Sequence, residues 1–472
     1  MFQQYINGKL TDGLGRVLKV YNPATDEVVG EYCGATKEQT EETLKAAERA
    51  FETWSRVPVS ERAAWLYRYR EACLAERDRL IDLVSAESGR PYAAACGDVD
   101  WFLISLKYYA DEAQRMNGEV LTSPKGAYHI VQRVPIGVAV GHLAWNYPLG
   151  NCGIKLAPAV ASGCTCIIKP SSETPLATLY LGKIAESIGF PSGVINILAG
   201  PSSQVAKTLN ESPIPRMLTL IGSYETGLAV MNQGSTSVKK YSLELGGNAP
   251  VVIMPDADLD ATAANIVAKK VGFAGQTCVN YNRIYIHRSV YESLCEKIAA
   301  ELSKVKLGSG KDEGYIMGPV INKKARDRML GLIKDATDRG AKLVMGGTVP
   351  PEFSKGSFMT PAFLKDVTDD MAVSKEEIFG PIIPVQPFDT LEEAIEKSNH
   401  TIFGLSAYFF GHDSREMTQY MDGVNAGEIF VNGAAGSEFS PHPGHKQSGV
   451  GCDKSKWSLE EYYDFKFLSI IP

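Results

Sequence analysis

Between Ile136 and Ile221 the chain repeats one unit four times: a short apolar run, a turn, then a helical stretch. The runs are Ile-Gly-Val-Ala-Val (136–140), Cys-Thr-Cys-Ile-Ile-Lys (164–169), Val-Ile-Asn-Ile-Leu (194–198) and Met-Leu-Thr-Leu-Ile (217–221). Strands joined through helices lie parallel, with right-handed crossovers and helices on both faces. The same alternation resumes after Gly246-Gly247 with Pro-Val-Val-Ile-Met (250–254) and runs to about Asn432. The predicted fold class is therefore α/β, with two doubly wound parallel-sheet domains.

The flanks read differently. Thr36 with Gln39 forms a capping box ahead of a helix whose apolar face is Leu44, Ala47, Phe51 and Trp54, and a second helix is expected from about Glu61 to Glu87. Residues 119–134 read as two strands around Ser-Pro-Lys-Gly, and the tail 462–471 alternates in part and ends apolar. Neither has an obvious partner in its own domain. Open strand edges invite pairing with another chain, so a homo-oligomer is expected.

Composition excludes several classes. The 48 basic and 55 acidic residues are spread along the chain, with no basic block to follow a phosphate backbone, so nucleic acid is not an expected partner. The N-terminus lacks the layout of a secretion signal, and no apolar run approaches the roughly 18 residues needed to span a bilayer, so a cytoplasmic protein with no membrane partner is expected. Nine scattered cysteines fit reduced thiols better than a disulfide framework. Cys164 and Cys166 sit in a strand-like run with no second Cys or His pair nearby, and no metal site is predicted.

One cysteine stands apart. Cys278 lies in Gly-Phe-Ala-Gly-Gln-Thr-Cys-Val-Asn-Tyr-Asn-Arg (272–283), a glycine-bracketed stretch that puts a thiol on a turn beside Asn and Arg instead of in an apolar core. Upstream, Leu-Glu-Leu-Gly-Gly-Asn-Ala-Pro (243–250) sets Glu244 just before a Gly-Gly turn, and Trp-Asn-Tyr-Pro (145–148) holds Asn146 on a loop. Thiol, carboxylate and amide donor together point to acyl chemistry, in which a thiolate attacks a carbonyl carbon and fixed donors receive the charge that develops on oxygen. No Gly-x-Gly-x-x-Gly follows any strand. The segment Gly222 to Gly227 does follow the 217–221 run and open a helix; by itself it reads as a cap, yet its free N–H groups and the Ser223 hydroxyl can meet a pyrophosphate.

These segments, together with Tyr-Asn-Pro-Ala-Thr (21–25), Lys-Pro-Ser-Ser-Glu-Thr-Pro (169–175), Glu-Glu-Ile-Phe-Gly-Pro (376–381) and Ser-Pro-His-Pro-Gly-His-Lys-Gln-Ser-Gly (440–449), resemble the aldehyde dehydrogenase superfamily, in its order and along nearly the whole chain. The resemblance implies an NAD- or NADP-dependent, non-acylating enzyme that oxidises an aldehyde to a carboxylic acid through a thiohemiacetal and a thioester on Cys278. It implies a Rossmann-like dinucleotide-binding domain in 1–118 and 136–244, a catalytic domain in 245–432, and a β oligomerisation arm in 119–135 and 450–472 that makes a homodimer or homotetramer. By the same resemblance Asn146 and the Cys278 backbone N–H hold the oxyanion, Glu244 activates water, and Lys155 supports the site. Gly222 and Ser223 hold the phosphates, Lys169 the adenosine ribose, and Glu377 and Phe379 the nicotinamide end.

The departures from the family pattern concern selectivity. Where many members carry the Glu that binds the ribose hydroxyls and repels a 2′-phosphate, this chain has Ser172, with Glu173 displaced by one, so NADP is expected alongside or ahead of NAD. The common Phe-Gly-Gly before the final lysine is His442-Pro443-Gly444. Asn151, Ile154, Thr277, Val279 and His442 align with residues that line the aldehyde tunnel. Asn151, Thr277 and His442 would be left unpaired by an apolar guest at ~1–3 kcal/mol per buried group, which favours a short hydroxylated aldehyde such as lactaldehyde or glycolaldehyde. A succinate semialdehyde-type enzyme is the alternative, although Ile154 stands where some of those enzymes have Arg. An acylating dehydrogenase would not need Glu244, a non-catalytic protein of this fold would not need the three site residues together, and for a cysteine hydrolase no motif places a histidine near Cys278.

Overall fold

A computed structural model describes residues 1–123, 126–311, 317–433 and 436–471. Thr36 caps the first helix, Lys37–Trp54: its hydroxyl accepts from the Gln39 N–H at 3.3 Å, and the Gln39 side chain accepts from the Thr36 N–H at 3.2 Å. The single helix expected over 61–87 is two, Val59–Ala75 and Arg77–Ser88. Glu76 separates them with a backbone at φ −102°, ψ 14°, the bridge region that ends one helix and starts the next. Both halves bury their apolar faces in one core, with Leu66, Tyr69 and Cys73 from the first and Leu80, Ile81 and Val84 from the second.

The four runs of the sequence pattern form the parallel strands Val138–His142, Thr165–Lys169, Ile195–Ile197 and Pro215–Ile221, joined by Lys240–Glu244. Across the sheet they lie in the order third, second, first, fourth, fifth. The winding direction reverses between Val138–His142 and Pro215–Ile221, and in such sheets the crevice beyond that switch point receives the ligand. Gly449–Val450 adds an antiparallel edge beside Lys240–Glu244, which carries the C-terminal part of the chain to Glu244.

Two acidic side chains from the N-terminal helices close neighbouring helix ends. Asp98 accepts from the Leu149 and Gly150 N–H groups, and Glu87 from those of Leu176 and Ala177. Burial pushes the Glu87 carboxyl up to about 8, against the pull of those two N–H groups.

The second sheet has seven strands in the order Lys342–Met345, Ala362–Lys365, Ile382–Phe388, Tyr281–His287, Ala249–Ile253, Ser406–Phe410, Glu428–Val431, parallel except at Lys342–Met345. The expected arm strands pair with each other: Tyr463–Ile470 runs antiparallel to Tyr128–Pro135, which pairs with Glu119–Leu121. Pro124 and Lys125 of the expected turn, and Pro472, lie outside the described residues. This small sheet leaves Phe465 and Phe467 64% and 57% exposed. Among the described residues no helix is long and apolar enough to cross a membrane.

Candidate active site

A cleft of about 1020 Å³ runs from Lys169, Ser171 and Ser172, past Gly222 to Thr226, to Asn146, Glu244, Cys278, Glu377 and Phe379. Its floor is the carboxyl ends of the strands at the switch point. The helix N-termini at Pro148 and Leu176 are closed by Asp98 and Glu87, whereas the one at Tyr224 opens into the cleft. There Ser223 is the cap and accepts from the Thr226 N–H at 3.3 Å, so its hydroxyl has a local partner, and the Gly222 N–H before it donates to the Glu244 carbonyl oxygen at 3.0 Å.

Lys169 is 5% exposed, and its ammonium donates to the Pro170 carbonyl at 3.2 Å; burial pushes it down to about 8. His142 beside it is pushed down to about 4, first by burial and then by the Lys169 charge, and is a neutral imidazole against Asn210 Oδ1 at 2.7 Å. Ser172 lines the cleft, whereas the Glu173 carboxyl turns to Asn322.

The turn before Cys278 is built from consecutive left-handed residues, Phe273 (φ 47°), Ala274 (φ 50°) and Gly275 (φ 70°). Such backbone costs on the order of 1–3 kcal/mol at a non-glycine residue and persists only when its surroundings enforce it. Buried side chains do so here. Gln276 donates to Phe273 O at 3.1 Å and accepts from the Ile321 N–H at 2.8 Å, and Asn280 donates to Gly275 O at 2.6 Å. A Cβ at Gly275 would come within 2.4 Å of the Gly380 carbonyl oxygen, and one at Gly247 within 2.5 Å of the Cys278 carbonyl oxygen. Glycine at these two positions lets the Glu244 turn, the cysteine turn and the 376–381 segment meet. Glu377 accepts from the Gly247 N–H at 3.0 Å, and burial pushes its carboxyl up to about 8. Phe379 meets Trp145 edge-on at 5.3 Å.

Asn146 is buried, donating to Gln276 O at 3.3 Å and accepting from Asn151 Nδ2 at 3.3 Å. Asn151 is thus already paired and offers less free polarity than its place in the sequence implies. Ile154 is buried, while Thr277 and Val279 flank the half-buried Cys278. The Arg of the 272–283 stretch is not at the thiol: Arg283 is spent on the carbonyls of Asn248, Lys397 and Ser398. Lys155 pairs with Asp453 and does not reach the cleft, both side chains being almost fully buried, at 1% and 2% exposure.

The sequence reading sets His442 among the tunnel residues but has no motif to link a histidine to the Cys278 thiol; the structure brings the two together. The ligating atoms of Glu244, Cys278 and His442 all lie within 4.8 Å of one another, with His442 Nε2 at 3.5 Å from Glu244 Oε1 and Nδ1 at 2.9 Å from Glu428 Oε2. Burial, then the Glu244 charge, pushes the Cys278 thiol up to about 12, and His442 pulls it back. Burial opposes the His442 imidazolium, but close approach to Cys278, Glu244 and Glu428 outweighs it and holds the ring well above the usual histidine range, although neither His442 Nδ1 nor Glu244 Oε1 completes a well-aligned hydrogen bond among the described residues.

Two residues at the site were missed altogether. Glu428 is the one charge in the strand Glu-Ile-Phe-Val (428–431), an anomaly that could have drawn notice. Arg90, between Gly89 and Pro91, is 1% exposed, donates to the Asn146 carbonyl oxygen and lies 3.8 Å from the Phe273 ring centroid, tying the amide loop to the cysteine turn.

The profile of the aldehyde dehydrogenase family matches residues 10–468. Glutarate-semialdehyde dehydrogenase of Pseudomonas putida is 37% identical over 471 residues, covering 99% of this chain and 97% of that protein. The NADP(+) succinate-semialdehyde dehydrogenase of Escherichia coli is 36% identical over 471 residues, covering 99% and 97%. The crystal structure of lactaldehyde dehydrogenase from Escherichia coli superposes with a TM-score of 0.97 at 31% identity, covering 99% of each chain.

Proposed function

The chain belongs to the aldehyde dehydrogenase family, and from that membership we propose that it oxidises a short, polar aldehyde to its carboxylic acid, with NADP or NAD as hydride acceptor. The cleft fits a dinucleotide: it offers a buried ammonium at Lys169, an open helix end at Gly222 and Ser223, and an acid and an aromatic, Glu377 and Phe379, beside the thiol. When bound, the nicotinamide supplies the hydride acceptor that takes the aldehyde to the acyl level. The chain's own residues do the rest. Cys278 attacks the carbonyl carbon, and the Asn146 amide and the Cys278 N–H receive the developing oxyanion, an interaction worth around 3 kcal/mol per donor. Glu244 takes a proton from the water that cleaves the thioester. Lys155, through Asp453, supports the site from behind. In this reading residues 1–118 and 136–244 bind the cofactor, 245–432 carry the catalytic thiol, and 119–135 with 450–472 form an arm whose exposed Phe465 and Phe467 meet a second copy.

The observation that carries the substrate class is the polar wall around Cys278, with Thr277 beside it and His442, Glu244 and Glu428 clustered within 2.9–3.5 Å contacts. Lactaldehyde or glycolaldehyde would satisfy such groups; hexanal would strand them. A second reading, an aldehyde with a terminal carboxylate, is supported by Lys269, whose ammonium sits 5.8 Å from the Tyr281 and Tyr408 ring centroids with Cys278 and Glu428 in its electrostatic surroundings. The test is kcat/KM for lactaldehyde, glycolaldehyde, succinate semialdehyde and hexanal with each cofactor. A polar aldehyde should lead and NADP should be used; a hexanal preference refutes the substrate class, and a preference of roughly a thousandfold for NAD, about 4 kcal/mol, refutes the cofactor reading.

A further inference from the structure

Nothing in the thioester chemistry requires an imidazole beside the thiol, and the common family pattern has Phe where this chain has His442. The ring is nonetheless held from every side. The strand pair His442–Pro443 and Cys452–Asp453 carries it, with Asp453 directly opposite and neutralised by Lys155. Glu244 reaches Nε2 from the end of its strand at 3.5 Å, Glu428 reaches Nδ1 from the head of the other sheet at 2.9 Å, and Cys278 completes the cluster. Cys452, opposite Pro443 on the same strand pair, has its thiol by the His442 backbone, and Lys269 acts on Cys278 and Glu428 from the helix Leu259–Val271. The His442 ring is 7% exposed, so water screens these charges poorly.

Two carboxylates around one imidazole keep it charged. A thiolate created by losing its proton to solvent would add a third negative charge to the cluster. If the proton instead moves within the cluster, the total charge does not change, and the imidazolium exchanges a carboxylate partner for a thiolate one.

We propose that His442 is a catalytic residue that enters the reaction as an imidazolium anchored by Glu428 and pairs with the Cys278 thiolate once the thiol proton has passed to Glu244. In this step the S–H bond breaks, its electron pair stays on sulfur, and the proton goes to a Glu244 carboxylate oxygen; nothing is oxidised or reduced. The sulfur pair then forms the C–S bond while the carbonyl π pair moves to oxygen. Glu244 returns its proton to solvent before it acts on water. The Cys278–His442 pair thus gives this chain a charged route to the nucleophile that Phe at position 442 would lack.

The proposal rests on Cys278 being the nucleophile, and its test separates the two. The rate of iodoacetamide alkylation of the Cys278 peptide is measured against pH, by mass spectrometry, in the full-length protein without aldehyde. His442→Phe and His442→Gln should each move the alkylation midpoint up by at least about one pH unit, a tenfold loss of rate at neutral pH. Glu428→Gln should weaken the imidazolium and lower the pH above which the pair stops working. The kcat/KM profile should shift in step. If both His442 variants fold and alkylate with the wild-type profile, His442 is no partner of the thiolate and the proposal falls. Undiminished aldehyde oxidation by Cys278→Ser would instead remove the nucleophile assignment itself.

Discussion

Replacing Lys155 with Met isolates the ion pair that holds the His442 strand. Lys155 and Asp453 are 1% and 2% exposed, Asp453 Oδ2 has no hydrogen-bond partner among the described residues, and Asp453 lies opposite His442 across the antiparallel pair. Charges about 3 Å apart at an effective dielectric of about 20 attract by about 5–6 kcal/mol. Deleting the ammonium also removes its own desolvation cost, so the expected net loss is about 3–5 kcal/mol, the usual result of stranding a buried charge.

The sign of the pH dependence follows from Asp453. Burial already raises its carboxyl above the ordinary value of 3.8, and the Lys155 charge and hydrogen bond act against that rise. Without Lys155 the carboxyl rises further. A carboxyl raised in the folded state weakens that state as pH climbs through the folded value, and the penalty vanishes below the unfolded one. The gap between wild type and Lys155→Met should therefore be widest near pH 8 and narrower near about pH 5.5. Urea midpoints followed by the fluorescence of the five tryptophans measure it. The double variant Lys155→Met, Asp453→Asn should recover part of the loss, because no charge remains buried alone. A loss under about 1 kcal/mol near pH 8, or a gap that does not shrink on acidification, would refute the assignment of a charge-stabilising pair.

Two other outcomes test the cleft. Ser172→Glu puts a carboxylate at the cleft edge proposed for the ribose, which Glu173, turned toward Asn322, leaves open; like-charge repulsion of about 1.5–3 kcal/mol should lower the NADP-to-NAD ratio of kcat/KM by about ten- to a hundredfold, and an unchanged ratio would remove Ser172 from cofactor selection. Arg90→Met cuts the tie from Arg90 to the Asn146 carbonyl and the Phe273 ring; a charged hydrogen bond of this kind is worth about 1.5–3 kcal/mol, so kcat should fall at least about tenfold with little change in cofactor KM, and a variant with wild-type kcat would show that the Asn146 loop holds itself.

What could be read in advance follows the range of the interactions involved. The capping box at Thr36 and the strand runs ahead of each crossover helix are local signals, and each appears in the fold where its spacing puts it. The break at Glu76 carries no Gly or Pro, so the 61–87 stretch reads as one helix although tertiary packing divides it. The site divides the same way. Cys278 and Glu244 announce themselves through glycines their turns require, at 275 and 247, where a side chain would strike a carbonyl. His442 stands out in the sequence only as a departure from the family pattern, and its place beside the thiol could not be read there, because it depends on two long-range registers: Glu244 against Gly449 at the sheet edge, and His442 against Asp453 in the strand pair. Slip either by one residue and the ring leaves the cluster, since successive strand residues face opposite ways. Lys155, buried far upstream in sequence, stabilises the second register through Asp453. A lysine that reads as a supporting residue on the family pattern is thus tied physically to the charge beside the thiol, and the pH response of Lys155→Met and the alkylation profile of His442→Phe interrogate one connected structure from its two ends.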